Sequence, residues 1–173
     1  MSEQTIYRAP MRSRDTDVPT GIAVTRALEG GLCGVGGRLD HPPASLSDAI
    51  VQTDATYGER AARRLERFAS AALRSFVWTR DLNASLWLGR IGGAWRYDAN
   101  PGAWAVDLMH VRACEWIPTP IPHEQAPPSV RASFARGGRN WQRIRAADAA
   151  TGTARTWSRY WHDAPVPGTR PFG

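Results

Sequence analysis

The alternation of apolar and polar positions is clearest in the middle of the chain. Phe76-Val77-Trp78-Thr79-Arg80 is a β-type run, Asp81 to Ser85 carries turn chemistry, and Leu86 to Ile91 returns as the second strand of a hairpin. Gly92-Gly93 marks a bulge or sharp bend, after which Ala94 to Asp98 continues. Asn100-Pro101-Gly102 reads as a turn. Leu108 to Ile117 is a further long strand. Its odd positions, Met109, Val111, Ala113 and Ile117, are expected to face the core, and Leu108, His110, Arg112, Cys114 and Trp116 the other side.

Helical periodicity is strongest over Tyr57–Leu73, where Ala61, Leu65, Phe68 and Ala72 form one apolar stripe. Arg60, Arg63, Arg64 and Arg67 fall mostly off that stripe and read as a solvated face, with Glu59 and Arg63 as an i,i+4 pair. Upstream, Gln4 to Arg8 reads as an edge strand ended by Pro10, followed by a polar loop over 11–19. Thr20 is expected to cap a short helix through Ala27 that stops at Gly30-Gly31. Leu32 to Gly37 is a short buried strand whose glycines would let another backbone or a ligand approach closely. His41-Pro42-Pro43 is a loop, and Ser45 or Ser47 caps a helical turn around Asp48–Val51. Downstream, Pro118–Pro128 holds five prolines and is read as loop. Ser129–Arg136 is a short helix ended by Gly137-Gly138, Arg139–Arg145 a last strand, and Ala146–Trp161 a C-terminal helix. Several bent strands with few helices suggest an α+β domain built on a small, strongly curved β-barrel with flanking helices. The expected division is a domain over 1–145, a helix over 146–164 packing on or beside it, and a flexible tail over 165–173.

Length and composition fit this picture. A chain of 173 residues with 42% hydrophobic residues suits one globular domain. It contains no apolar run of membrane-spanning length and no signal-peptide pattern at its start, so a cytoplasmic location without membrane association is the expectation. Cys33 and Cys114 form no CxxC pair and read as reduced, buried thiols. The net charge is +6, and all 22 basic residues are Arg. A positive balance favours a polyanionic partner, and the guanidinium fork binds phosphate bidentately and stacks on rings. The absence of Lys excludes a P-loop, a protein kinase and Schiff-base chemistry.

Other chemistry finds little support. No GxSxG elbow and no HEXXH are present, and His41, His110, His123 and His162 are scattered. On one extended strand His110 and Cys114 would stand about 13 Å apart, too far for a direct pair. Asp98, Asp107 and Glu115 flank the central strands without a substrate signature. No catalytic residue, metal ligand or cofactor is therefore assigned. The aromatic and basic pattern says more. Trp78, Trp87, Trp95, Tyr97, Trp104 and Trp116 fall within 39 residues, interleaved with Arg80, Arg90, Arg96 and Arg112. One domain of this size has little room to bury all eight Trp, so some should line a pocket where rings stack on bases. Arg131, Arg136, Arg139, Arg143 and Arg145 form a second, acid-free segment suited to phosphate.

The order "GLCGVGG", "RRLERFAS", "FVWTRD", "LWLGRIGGAWRYD", "HVRACEW", "SFARGGRNWQRI" resembles the PUA-like, EVE-like N-terminal domain associated with Mrr-type restriction endonucleases, over roughly residues 5–145. The chain departs from it at Gly34-Val35-Gly36, where the family carries Gly-Trp, and at Arg74-Ser75, where it carries Gly-Asp. The resemblance implies a curved PUA-like barrel that reads DNA in a restriction or antiphage defence setting, with a modified base flipped into an aromatic cage. Any cleavage would come from a separate nuclease or effector protein. The site expected from pattern and resemblance together is Trp78, Arg80, Trp95, Tyr97, His110, Arg112 and Trp116 at the pocket, with Arg136, Arg139 and Arg143 on phosphates. Two further readings stay open. One is an RNA-binding module of the same fold. The other is a protein-interaction module presenting the proline-rich loop and Trp157, Tyr160 and Trp161.

Overall fold

The computed structural model describes residues 4–162. Residues 163–164 of the expected C-terminal helix and the tail over 165–173 lie outside that range. Seven strands make one sheet: β1 (Ile6–Arg8), β2 (Leu32–Val35), β3 (Phe76–Arg80), β4 (Leu86–Ile91), β5 (Arg96–Tyr97), β6 (His110–Trp116) and β7 (Gln142–Arg143). Six helices cover it: α1 (Ile22–Gly30), α2 (Leu46–Tyr57), α3 (Glu59–Ser70), α4 (Pro101–Ala105), α5 (Pro128–Ala135) and α6 (Ala147–Trp161). The strand order is β2-β6-β4-β3-β1-β7, with β5 also paired to β6. The sheet is strongly curled, a half-barrel in a mixed α and β fold.

The β3–β4 hairpin runs as its alternation predicts, with Trp78 opposite Leu88. Asp81 builds its turn by accepting from the backbone N–H groups of Asn83 and Ser85 and from Trp87 Nε1. Beyond Ile91 the chain bends at Gly92-Gly93. This lets β4 pair with Cys114–Trp116 and β5 with His110–Val111 of one long β6 strand. On the other side β2 pairs with the first half of β6, Leu32 opposite Ala113. A Cβ on Gly34 would stand 2.6 Å from the His110 carbonyl oxygen, and one on Gly36 2.7 Å from the Asp107 carboxylate. The glycines of this strand therefore admit another backbone, as read.

Five sequence expectations are corrected. The first strand is not an edge: β1 lies parallel to β3 and antiparallel to β7. Asn100-Pro101-Gly102 starts α4, with the Asn100 side chain accepting from Gly102 N–H and Pro101 in the first turn, where its missing N–H costs nothing. The α3 stripe keeps Leu65 and Phe68 but differs at its ends, where Ala62 is buried and Ala61 only half-buried, and Ala72 is exposed. Along β6 Met109, Val111 and Ile117 are buried as read, but Ala113 is exposed, and His110, Arg112 and Cys114 on the opposite face are buried too. The last strand also shrinks to two residues.

Two apolar clusters fill the interior. One joins α1, α3, β2 and β6 around Val24, Leu65, Phe68, Val111 and Trp141. The other lies under α5 and α6 around Ile6, Phe76, Trp78, Leu88, Val130 and Trp157. The C-terminal helix thus packs onto the sheet, Ala149 and Trp157 inward. Cys33 and Cys114 are buried and unpaired, and burial pushes the Cys33 thiol up to about 12.

Candidate functional site

A cleft of about 760 Å³, counted to its open mouth, lies where five parts of the chain converge. One wall is the segment 9–15 after β1. The others are Gly34–Gly37 at the end of β2, the facing sides of α2 and α3, Asp107 and His110 at the start of β6, and Arg139–Trp141 before β7. Arg12, Arg14, Arg64 and Arg139 line it. None of the four makes an ion pair among the described residues. Burial, with Arg14 and Arg67 close by, holds the Arg64 guanidinium below its ordinary value.

The acids of the cleft are already engaged. Asp15 pairs with Arg38 at 2.9 Å. Asp107 accepts from Ser13 Oγ at 2.5 Å and from Gly37 N–H at 2.9 Å. What faces the opening is therefore positive. The ring wall is supplied by Trp141 and Tyr57. Trp141 is fixed by stacking on Tyr7 (centroids 4.4 Å apart, 21° between planes) and by an edge contact with Phe68. Its Nε1–H and the Thr53 hydroxyl, both in residues lining the cleft, have no hydrogen-bond partner among the described residues. Two of the four non-glycine residues with positive φ, Met11 at 49° and Asp107 at 52°, also line it. Such conformations cost about 1–3 kcal/mol each and cluster at functional sites.

The residues expected from sequence divide into three groups. Arg139 and His110 line the cleft, and Arg80 lines a groove beside it. Arg136 and Arg143 are exposed near it, Arg143 on β7 opposite Tyr7. The others build the fold. Trp78 is 0% exposed, and its Nε1 donates to Thr153 Oγ1 at 3.0 Å. Arg112 is also buried. Its Nη1 donates to the Phe68 and Ala71 carbonyls at the end of α3 and its Nε to the Gly93 carbonyl. Trp116 Nε1 donates to the Leu32 carbonyl, tying β6 to β2. Trp95 and Tyr97 pack against His110 rather than forming an open cage. Trp78 and Arg112 are thus internal braces, while Trp95, Tyr97 and Trp116 are half-buried with their inner sides committed to the fold. A side chain with no exposure and a satisfied N–H offers a ligand neither face nor donor.

Sequence reasoning missed Arg12, Arg14, Arg64, Tyr57 and Trp141. They come from segments far apart in the chain, and Arg64 reads as part of a solvated helix face. The available signal was the run Gly34–Gly37 together with the acid-free arginine segment.

His110 connects brace and cleft. Its Nδ1 accepts from Trp95 Nε1 at 3.3 Å, so Nε2 carries the proton and donates to the Gly37 carbonyl at 3.1 Å. This holds the neutral ring with both nitrogens used. Burial, only partly offset by the Gly37 carbonyl and by Asp107, pulls its pKa down to about 4. The unfolded chain takes up this proton near pH 6.5 and the folded chain refuses it. The stability His110 contributes is therefore complete above about pH 6.5 and is lost as pH falls toward 4. Urea midpoints measured between pH 7 and pH 5 should fall with a slope approaching ~1.4 kcal/mol per pH unit in this window. His110→Gln should flatten that slope, and an unchanged slope in the variant would remove His110 as its source.

The chain matches no protein-family model. No curated protein sequence matches it significantly. Among the described residues, no three His, Cys, Asp or Glu side chains are grouped to hold a metal ion. No described helix is long and apolar enough to cross a membrane.

Proposed function

We propose that this chain is a non-catalytic nucleic-acid-binding module, that its ligand is DNA, and that one base enters the cleft between α3 and the 139–141 segment. The observation that carries the reading is the set of four arginines, Arg12, Arg14, Arg64 and Arg139, none in an ion pair among the described residues, converging on one cleft beside the exposed Tyr57 ring. Phosphate supplies the missing counter-charge, and guanidinium groups bind it in bidentate fashion. A base offers a flat face for the exposed Tyr57 ring, while the buried Trp141 ring, held by Tyr7 and Phe68, stiffens the wall behind it. Reading of a modified base, and a place in restriction or antiphage defence, rest on the PUA-like and EVE-like resemblance alone.

The competing interaction-module reading used Trp157, Tyr160 and Trp161 as its contact surface. Trp157 and Trp161 stack on each other at 4.6 Å and, with Tyr160, pack against the core under α6. Those rings are therefore largely spent on the fold.

The test is fluorescence anisotropy with modified and unmodified DNA oligonucleotides, and RNA of the same sequence, at two salt concentrations. Binding should weaken with salt. Arg139→Ala should reduce the salt slope by about one phosphate's share, near 0.7 for a single strand. No binding to any probe at low salt would sink the proposal. Tighter binding to RNA than to DNA would transfer the cleft to an RNA ligand.

A further inference from the structure

A second, open groove lies beside the cleft. Two stretches of chain run through both. Pro10 and Arg12 line each of them, and Gly137-Gly138 in the groove continue directly into Arg139 and Asn140 in the cleft. The groove is also lined by Arg80, Asp81, Leu82 and Phe134. Arg80 is exposed, and its guanidinium carbon lies 5.7 Å from the centre of the Phe134 ring. It makes no ion pair among the described residues. Its sequence neighbour Asp81 is taken up by the hairpin turn, where its two oxygens accept from Asn83, Ser85 and Trp87. The shape of the floor is enforced: a Cβ on Gly138 would collide with the Arg8 guanidinium, which is itself held by Ser133 and Gln142. Gly137 sits at φ +74° with open space around it.

We infer that the groove is a second subsite of the same nucleic-acid interface. A single DNA strand lies across both depressions, the phosphate next to the bound nucleotide between Arg12 and Arg80 and the neighbouring nucleotide over the exposed Leu82. This rests on the nucleic-acid reading of the cleft and adds to it the size of the ligand. The chain recognises a strand segment, not an isolated nucleotide. Arg12 is the shared contact, Arg139 belongs to the cleft and Arg80 to the groove. Charge favours this occupant. Two cations without ion-pair partners among the described residues, an acid whose oxygens are tied into the hairpin turn, and the exposed Leu82 side chain fit a sugar-phosphate backbone with a base laid beside it. A protein segment would find no acidic or basic alternation to match.

The experiment compares thymidine monophosphate, a DNA trimer and a DNA hexamer in competition against a labelled hexamer, with the intact chain. The trimer should bind at least tenfold more tightly than the mononucleotide, and the hexamer should add little more. Arg80→Ala should weaken the trimer and hexamer several-fold and lower the salt slope by about 0.7, leaving the mononucleotide unaffected. Arg139→Ala should weaken all three. Equal affinity of mononucleotide and trimer would overturn the second subsite while leaving the cleft reading intact. So would an Arg80→Ala variant indistinguishable from the parent beside a weakened Arg139→Ala. Absence of binding to every probe would overturn both. Arg80 is exposed on a hairpin end, and a thermal melt identical to the parent's excludes misfolding of its variant.

Discussion

Arg112→Met should cost about 3–5 kcal/mol of stability, the cost of leaving up to three buried carbonyls unpaired at about 1–3 kcal/mol each, less the relief of a buried charge. The guanidinium supplies the donors for three carbonyls, those of Phe68, Ala71 and Gly93. Two of these lie at the C-terminal end of α3, where the last turn of any helix has no intrahelical donors to offer and where a positive charge also suits the helix dipole. Methionine fills most of the volume but leaves the carbonyls buried and unpaired. Arg112→Lys should recover little, because a single ammonium on a flexible stem cannot span α3 and the Gly92-Gly93 bend together. The measurement is the urea midpoint of each variant at pH 7. A loss below about 1 kcal/mol for Arg112→Met would show that water reaches these carbonyls and that the arginine is not their principal partner.

Trp78→Ala is the second large effect, at about 3–5 kcal/mol. Trp78 is the largest of the fully buried side chains, packed among Ile6, Phe76, Leu88 and the inner face of α6. Its removal leaves a cavity between sheet and helix and strands the Thr153 hydroxyl. Trp78→Phe should lose about half as much, since most of the ring volume survives and only the hydrogen bond to Thr153 goes. If Trp78 were a stacking platform, Trp78→Ala would melt normally and fail to bind DNA. The structure predicts the reverse at temperatures where the variant remains folded: reduced stability with near-normal affinity. Both outcomes are read by melting and anisotropy on the same sample.

These two residues also show where the sequence stops being legible. The hairpin Phe76–Ile91 and the helix Ala147–Trp161 follow from local rules of alternation, turn chemistry and composition, and the structure has them within a residue or two. The stop of α1 at Gly31, in the left-handed region at φ 63°, is equally local. Along β6 the same rules fail. His110 and Arg112 look like the wet face of a half-buried strand. They are buried because distant groups satisfy them, Gly37 and Trp95 for one and the end of α3 for the other. Periodicity registers polarity and cannot register a partner 40 or 70 residues away. The cleft was hidden for the same reason. Its arginines stand at 12, 14, 64 and 139, and only the packing of α3 against the sheet and the return of the chain at Asn140 bring them together. Arg139 alone was visible, because it lies in a stretch without acids.

The position of β1 has a consequence for how the molecule is made. This three-residue strand takes one neighbour from β3, about 70 positions later, and the other from β7, about 135 positions later. Arg8 repeats the second connection with its bonds to Ser133 and Gln142, sequence separations of 125 and 134. The strand made first among these seven is thus among the last to find both its partners. Contacts of such separation carry the largest loop-closure entropy and slow the search for the native state. Until residue 143 has been synthesised, one edge of β1 has no strand to pair with. The segment 9–15, which carries Arg12 and Arg14, hangs from that unfinished strand, so this wall of the cleft has its full support only once the chain has been made through residue 143.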